Sequence, residues 1–306
     1  MPVQPDLKQR LKQSAERRQA MLNTLGIVPL SILRPKRNST LESAVYRLQH
    51  DFPERNVTGE DNKARSDEKF KALKAAGYTN TQTASGRKIG QGTLAASAMP
   101  PHLVEFFVKY YAQPGQVYLD PFMGQGIRLQ VANYLGLHYW GYDASVEFCR
   151  YIAAFAPKLK GNTEVHTFNA DSRYPDEIPD GIGDFSFYSP PYWDVEFYGD
   201  EPAQLGKAKT YEEFIGFMGQ IAAAWLPKFK SGAYHCVNIG DFRRKTIFYP
   251  YQADLTIAYR AAGWQVQDIW ILDQVVSGMN KAFAVQKNLL KQAPRIHEYA
   301  VIFKAP

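Results

Sequence analysis

The hydrophobic rhythm of the chain changes near residue 86. Upstream, apolar positions come in short helical stretches. Leu7, Leu11, Met21, Leu22 and Leu25 among Lys, Arg and Gln, closed by Gly26, predict a helix over 5–25. Val28 to Ile32 is a short apolar run, and Arg34 to Arg37 is basic. Ser39 followed by Glu42 has the spacing of a capping box and predicts a helix over 40–49. Residues 51–66 are polar and read as loop, 67–76 as a helix closed by Gly77, and 79–93 is rich in Thr, Gly and Ser.

Downstream, strand-length apolar runs alternate with amphipathic helical patterns. Strands are predicted over Val117–Asp120, Tyr139–Asp143, Val165–Asn169, Phe185–Tyr188, Ala233–Ile239, Val266–Leu272 and Glu298–Lys304. Helices are predicted over Pro100–Tyr111, Ile127–Leu135, Ser145–Ala156, Tyr211–Pro227 and Tyr251–Ala262, the last closed by Gly263. Repeated strand–helix units make this an α/β fold with a doubly wound, mostly parallel, seven-stranded sheet. The division that follows is a mainly helical extension over 1–85 and a principal domain over 86–306.

Charge sharpens that division. The net charge is +6, yet residues 1–88 hold 17 Lys/Arg against 9 Asp/Glu, and the rest holds 19 against 21. The basic surplus lies wholly in the extension. A basic arm on a near-neutral domain suits a polyanion, since phosphate contacts supply most non-specific affinity for DNA; a solvated surface is the plainer reading of the same charges. With 45% hydrophobic and 14% aromatic residues the chain is globular. Its apolar runs fall short of a membrane span and no charged-then-apolar leader opens it, so a cytoplasmic protein is expected. Cys149 and Cys236 are too few for a zinc site or a disulfide framework and read as small buried hydrophobes.

In a doubly wound sheet ligands sit at the carboxyl ends of the strands, and four strand ends here carry chemistry. After the first stands Asp120-Pro121-Phe122-Met123-Gly124-Gln125-Gly126, a turn whose glycines let backbone approach a ligand ahead of a helix N-terminus. Asp143 ends the second strand, about twenty residues beyond the turn, where an acid commonly holds a ribose hydroxyl pair. Asp171 follows the third and is placed to reach an adenine amino group. Each acid alone is more often a solvated strand end. After the fourth strand, Ser189-Pro190-Pro191-Tyr192 fixes a stiff turn with bare carbonyls, because proline lacks an N–H and keeps its predecessor out of helical geometry. That turn offers a hydroxyl, a carbonyl and an aromatic ring, which suit a planar substrate bearing an NH2 group. Trp193 and Asp194 follow it as candidate lining for a base. Asp241 and Arg243, after the fifth strand, are candidates for orienting a base or a phosphate, with a salt-bridged turn as the equal alternative.

On these residues the chain resembles the DNA amino-methyltransferases, and phage-type solitary enzymes in particular. Asp120 to Gly126 matches their cofactor loop (Asp-Pro-Phe-x-Gly-x-Gly), and Ser189 to Tyr192 matches their catalytic tetrapeptide. The resemblance runs from about Ser97 to Val301. It implies a Rossmann-like methyltransferase fold and S-adenosyl-L-methionine as cofactor, held by Asp120, Pro121, Phe122, Gly124, Gly126, Asp143 and Asp171. It implies double-stranded DNA as partner and no metal; a homodimer and a restriction-enzyme partner are left open, as is a bacterial or phage-infected host. The target base is flipped into the site and stacked on Tyr192, while Ser189 Oγ and the Pro190 carbonyl accept the hydrogens of its exocyclic amine. In the family Ser at the first position goes with N4 of cytosine and Asp or Asn with N6 of adenine, so N4 is expected and N6 is the alternative. An RNA or protein N-methyltransferase, or a non-catalytic DNA-binding relative, is a further alternative. Two departures stand out: Gln125 and Ile127 replace the hydroxyl residues usual after each glycine. Carbon-5 methylation would need a Pro-Cys nucleophile, and neither cysteine follows proline. For sequence recognition the candidate is the insertion 273–297, where Lys281, Lys287, Lys291 and Arg295 face one acid, Asp273.

Overall fold

The computed structural model describes residues 32–33, 40–41, 45, 99–193, 201–244, 247–273 and 297–306. Strands β1 (Ile32–Leu33), β2 (Val117–Asp120), β3 (His138–Asp143), β4 (Val165–Asn169), β5 (Gly183–Tyr188), β6 (Phe229–Ile239), β9 (Gln265–Asp273) and β10 (His297–Lys304) form one sheet. Its order is β1-β9-β10-β6-β5-β2-β3-β4. Strands β2 to β6 pair in parallel, and β10 runs antiparallel to both β6 and β9. The order turns between the parallel neighbours β2 and β5: the chain winds outward from β2 through β3 to β4 on one side and from β5 to β6 on the other, and this is where a doubly wound sheet opens its ligand crevice.

Helices α1 (Pro101–Tyr111), α2 (Ile127–Tyr134) and α3 (Val146–Phe155) cover one face, and α4 (Tyr211–Trp225) and α5 (Tyr251–Ala261) the other. Successive strand residues serve opposite cores. Tyr118, Phe185, Phe187 and Cys236 face α1, while Leu119, Tyr188 and Val237 face α4 and α5. Burial on both faces is why these strands read as nearly unbroken apolar runs. Phe107 of α1 stacks on Phe187 at 4.3 Å between ring centroids, tying the first helix to the central strand. The helices start where local chemistry says they should: Ser145 accepts from the Phe148 N–H and Thr210 from the Glu213 N–H, capping α3 and α4.

The seven expected strands are present, and β6 begins four residues earlier than its apolar core suggests. Two features were not anticipated. The short strand β1 adds an eighth member to the sheet, parallel to β9 with Ile32 opposite Ile271. A two-stranded hairpin of β7 (Phe242–Arg244) and β8 (Ile247–Tyr249) rises between β6 and α5. From the helix expected over 40–49, Thr40, Leu41 and Val45 are helical, and Leu41 and Val45 are buried in the core beneath α1. The other readings on residues 1–98 and the bulk of the insertion 273–297 lie outside the described residues.

Candidate active site

The first wall of the site is the turn after β2. Asp120 is fully buried and points inward, where Oδ2 accepts from Arg128 Nε at 2.6 Å and from the Tyr139 hydroxyl at 2.7 Å. Its Oδ1 accepts the Phe122 N–H at 3.1 Å, and Arg128 also donates to the Phe122 carbonyl. Burial works against the charge on Arg128, and the Asp120 carboxylate more than offsets it, so the guanidinium stays protonated. In this structure Asp120 therefore shapes the turn from within. Pro121 is buried and its carbonyl accepts from the Ser172 hydroxyl, and Phe122 lies 5.6 Å from the Tyr188 ring.

Gly124 and Gly126 both have left-handed backbone, with φ of 52° and 73°. Their surroundings differ. A Cβ on Gly126 would meet Phe155 Cζ at 2.6 Å, so that glycine lets α3 pack under the turn. A Cβ on Gly124 would meet only the Phe122 carbonyl, at 3.9 Å, and otherwise open space. Gly124 thus exposes backbone at the mouth of the crevice. Its N–H donates to Asp143 Oδ2 at 2.8 Å, while the Ser145 N–H donates to Oδ1 at 2.9 Å. Desolvation beneath the turn pushes the half-buried Asp143 carboxyl up to about 6, partly opposed by those two N–H donors. Each carboxylate oxygen keeps a further lone pair for a hydroxyl donor. Open backbone beside a carboxylate with lone pairs to spare gives room and an acceptor for the hydroxyls of a nucleoside-bearing cofactor. Asp171, after β4, is held by Arg173 two residues on, whose Nε lies 3.0 Å from both carboxylate oxygens.

The second wall follows β5, the strand hydrogen-bonded beside β2. Ser189 is half-buried, and among the described residues nothing bonds its hydroxyl. Pro190 is buried. The Tyr192 hydroxyl accepts the Gly240 N–H at 2.7 Å, and its ring meets Phe242 and Tyr251 edge-on at 5.7 and 5.6 Å. Tyr251, the first residue of α5, donates to the Pro191 carbonyl at 3.4 Å. Trp193 donates Nε1 to the Ala208 carbonyl at 3.0 Å. The tetrapeptide is thereby clamped from two sides by residues more than forty positions later. Gly240 and Tyr251 were not singled out in the sequence; their contacts are long-range, and no local spacing announces them.

Below the tetrapeptide, the Tyr188 hydroxyl lies 3.0 Å from His235 Nε2 and bonds the Tyr259 hydroxyl. Burial pushes His235 down to about 3, so this network is neutral. Asp241 accepts the Gln252 N–H at 3.0 Å and so helps cap α5. Arg243 is exposed on the hairpin, its guanidinium 4.9 Å from the Phe248 ring centre. Burial pushes the Cys149 thiol up to about 12 and raises Cys236 as well, which leaves neither as a thiolate nucleophile. Asp194, Lys281, Lys287, Lys291 and Arg295 lie outside the described residues. Among the described residues no group of three His, Cys, Asp or Glu side chains is arranged to hold a metal, and no helix is long and apolar enough to cross a membrane.

Strand order, the antiparallel last strand and a glycine turn facing an acid at the next strand end together define the Rossmann-like methyltransferase fold. The model of the DNA methylase family matches residues 12–154, a span that holds the glycine turn and Asp143 but ends before the tetrapeptide. The Type II methyltransferase M.MwoI of Methanothermobacter wolfeii is 35% identical over 88 residues, 29% of this chain and 13% of that protein. The chain thus spans a small part of that relative's length. Together these matches bear out the resemblance to DNA amino-methyltransferases read from the sequence. Similar solved structures include TrmN from Thermus thermophilus, with a TM-score of 0.47 at 16% identity over 70% of this chain and 51% of that one. A methyltransferase from Pyrococcus furiosus has a TM-score of 0.45 at 13% identity, over 68% of this chain and 83% of that one.

Proposed function

We propose that the chain is an S-adenosylmethionine-dependent DNA methyltransferase that modifies the exocyclic amine of a flipped base, N4 of cytosine. The observation that carries this reading is the meeting, on neighbouring strands β2 and β5, of an open glycine turn facing Asp143 and a clamped Ser-Pro-Pro-Tyr turn whose Ser189 hydroxyl is bonded by none of the described residues. Gly124 and Asp143 hold the nucleoside end of the cofactor, with Phe122 and Asp171 beside them. When bound, S-adenosylmethionine supplies an electrophilic methyl group on a sulfonium sulfur.

The chain's own residues must make a poor nucleophile attack. An exocyclic amine delocalises its lone pair into the ring. Ser189 Oγ and the Pro190 carbonyl accept its two hydrogens, which favours a pyramidal nitrogen with the lone pair free to point at the methyl carbon. Tyr192 sets the plane of the base. Its hydroxyl bond to Gly240 and its contacts with Phe242 and Tyr251 fix its ring before any substrate arrives. With S-adenosylmethionine bound, methyl transfer to the nitrogen would release S-adenosylhomocysteine and leave a surplus proton, which the hydrogen bonds to Ser189 Oγ and the Pro190 carbonyl would hold until water takes it. Alignment of this kind can account for about 7–11 kcal/mol of barrier.

Ser189 supports cytosine N4 over adenine N6. The test is to incubate the protein with unmodified DNA and labelled S-adenosylmethionine, digest to nucleosides and identify the product by mass. N4-methylcytosine is expected. N6-methyladenine would keep the mechanism and overturn the base assignment, and no methylated nucleoside from a cofactor-binding protein would overturn the activity.

A further inference from the structure

The hairpin of β7 and β8 adjoins the tetrapeptide. Its root is fixed to the site. Gly240, two residues before β7, donates its N–H to Tyr192, and Phe242 packs against the Tyr192 ring. Phe242 lies opposite Tyr249, and the two rings stack at 5.2 Å. Tyr249 in turn meets Tyr211 at 4.6 Å and Trp193 at 5.4 Å. This face of the hairpin is a continuation of the aromatic wall behind the tetrapeptide.

The opposite face is different. Strand alternation turns the next cross-strand pair, Arg243 and Phe248, away from that wall. Phe248 is 48% exposed on that outer face, and Ile247, at the tip of the hairpin on the other face, is 57% exposed. The Arg243 guanidinium lies over the Phe248 ring at 4.9 Å. An isolated two-stranded hairpin is marginally stable in water; this one is anchored through its inner face, which leaves an aromatic ring and a cation on the outer face toward solvent. Cation beside aromatic is the chemistry that nucleic acid rewards: phosphate for the guanidinium, the face of a base for the ring.

We propose that the outer face of this hairpin contacts the target DNA beside the flipped base, with Phe248 stacking on a neighbouring base and Arg243 bound to a backbone phosphate. This rests on the DNA methyltransferase reading above and adds the element that engages the duplex. A base leaving the stack exposes the faces of its neighbours, and apolar side chains are the groups that fill such gaps. The root of the hairpin is bonded to Tyr192 of the turn proposed to receive the base, so the two contacts would be made side by side.

The experiment uses the full chain and a pool of unmodified, fluorescently labelled random-sequence duplexes, with binding followed by anisotropy across salt concentrations. Phe248→Ala is expected to weaken binding about tenfold, and Phe248→Trp, which keeps a stacking ring, to retain it. Arg243→Ala is expected to weaken binding and lower the slope of log affinity against log salt by about one. Affinity for S-adenosylmethionine, measured by calorimetry, and the thermal midpoint are expected to match the wild type in every variant, which separates a lost contact from a lost fold. If the wild type methylates DNA while Phe248→Ala and Arg243→Ala bind it equally well, the hairpin proposal fails and the enzyme reading survives. If the variants instead change only the oligomeric state, the face joins copies of the chain and the proposal fails. If the wild type neither binds nor methylates DNA, both readings fall together.

Discussion

Two glycines and one acid show how much of this site is decided at single positions. Gly124 and Gly126 share left-handed backbone, where any L side chain costs of order 1 kcal/mol. Only Gly126 has Phe155 in the way. Gly126→Ala is therefore expected to destabilise the fold by more than Gly124→Ala, read as a lower urea midpoint. Gly124→Ala should chiefly lose cofactor affinity, since its new methyl points into the crevice. Equal stability loss with unchanged cofactor binding in both variants would refute the distinction. Asp143 carries a pH signature. Its carboxyl is raised from 3.8 to about 6, and in the proposed role it accepts ribose hydroxyls most strongly when ionised. Affinity for S-adenosylmethionine is expected to be flat above about pH 6 and to fall below it by up to tenfold per pH unit, as one-proton linkage requires. For folding the sign is opposite: a raised acid contributes stability below its ordinary value near 3.8 that is lost as pH rises through about 6. Calorimetric titrations across that window test the first effect, and an affinity that stays level down to pH 5 would remove Asp143 from the cofactor site.

At the level of elements, what could be read from the sequence tracked burial. Strands buried on both faces, such as β2 and β5, announced themselves as short apolar runs with turn residues at their ends. β6 was read short because its buried first residue, Phe229, is cut off from the apolar run by exposed Lys230 and Ser231 and by Gly232, where the register against β5 shifts. β1 is two residues long and exists by pairing with β9, and the hairpin's three-residue strands are too brief for an alternating signal. The site divides the same way. The glycine turn and the tetrapeptide are contiguous, hence readable. Their clamps are not: Tyr251 reaches back sixty residues to Pro191, and Arg128 leans from α2 onto Asp120. The Arg128–Asp120 pair is a joint between α2 and β2, nearly sealed from water on both sides. Breaking a buried pair strands one charge, at a typical cost of about 3–5 kcal/mol. Arg128→Ala should lower the free energy of unfolding by about that much in urea titrations, well beyond a surface substitution. A loss under about 1 kcal/mol would show that Asp120 is solvated and free to serve the cofactor directly.

On the scale of the whole molecule, charge and core divide the chain differently. The basic surplus lies within residues 1–88, which set the extension apart. The core does not respect that line: β1 continues the sheet beside β9, and Leu41 and Val45, 0% and 3% exposed, are packed in the same core as α1. Two truncations separate the roles. A chain starting at residue 32 keeps β1, Leu41 and Val45 but loses five Lys/Arg against two Asp/Glu. It is expected to unfold at the same urea concentration as the full chain while binding DNA more weakly and with a shallower salt slope. A chain starting at residue 86 also loses the two buried side chains, each contributing about 1.5–3 kcal/mol, and the edge strand. Against a total stability of about 5–15 kcal/mol, that loss of about 3–6 kcal/mol should leave it marginal or insoluble. Should the shorter chain fold as stably as the full one, the extension would be a separate DNA-binding arm and its contacts with the core incidental; should it fail as expected, the extension is a structural part of the principal domain that also carries the basic surplus.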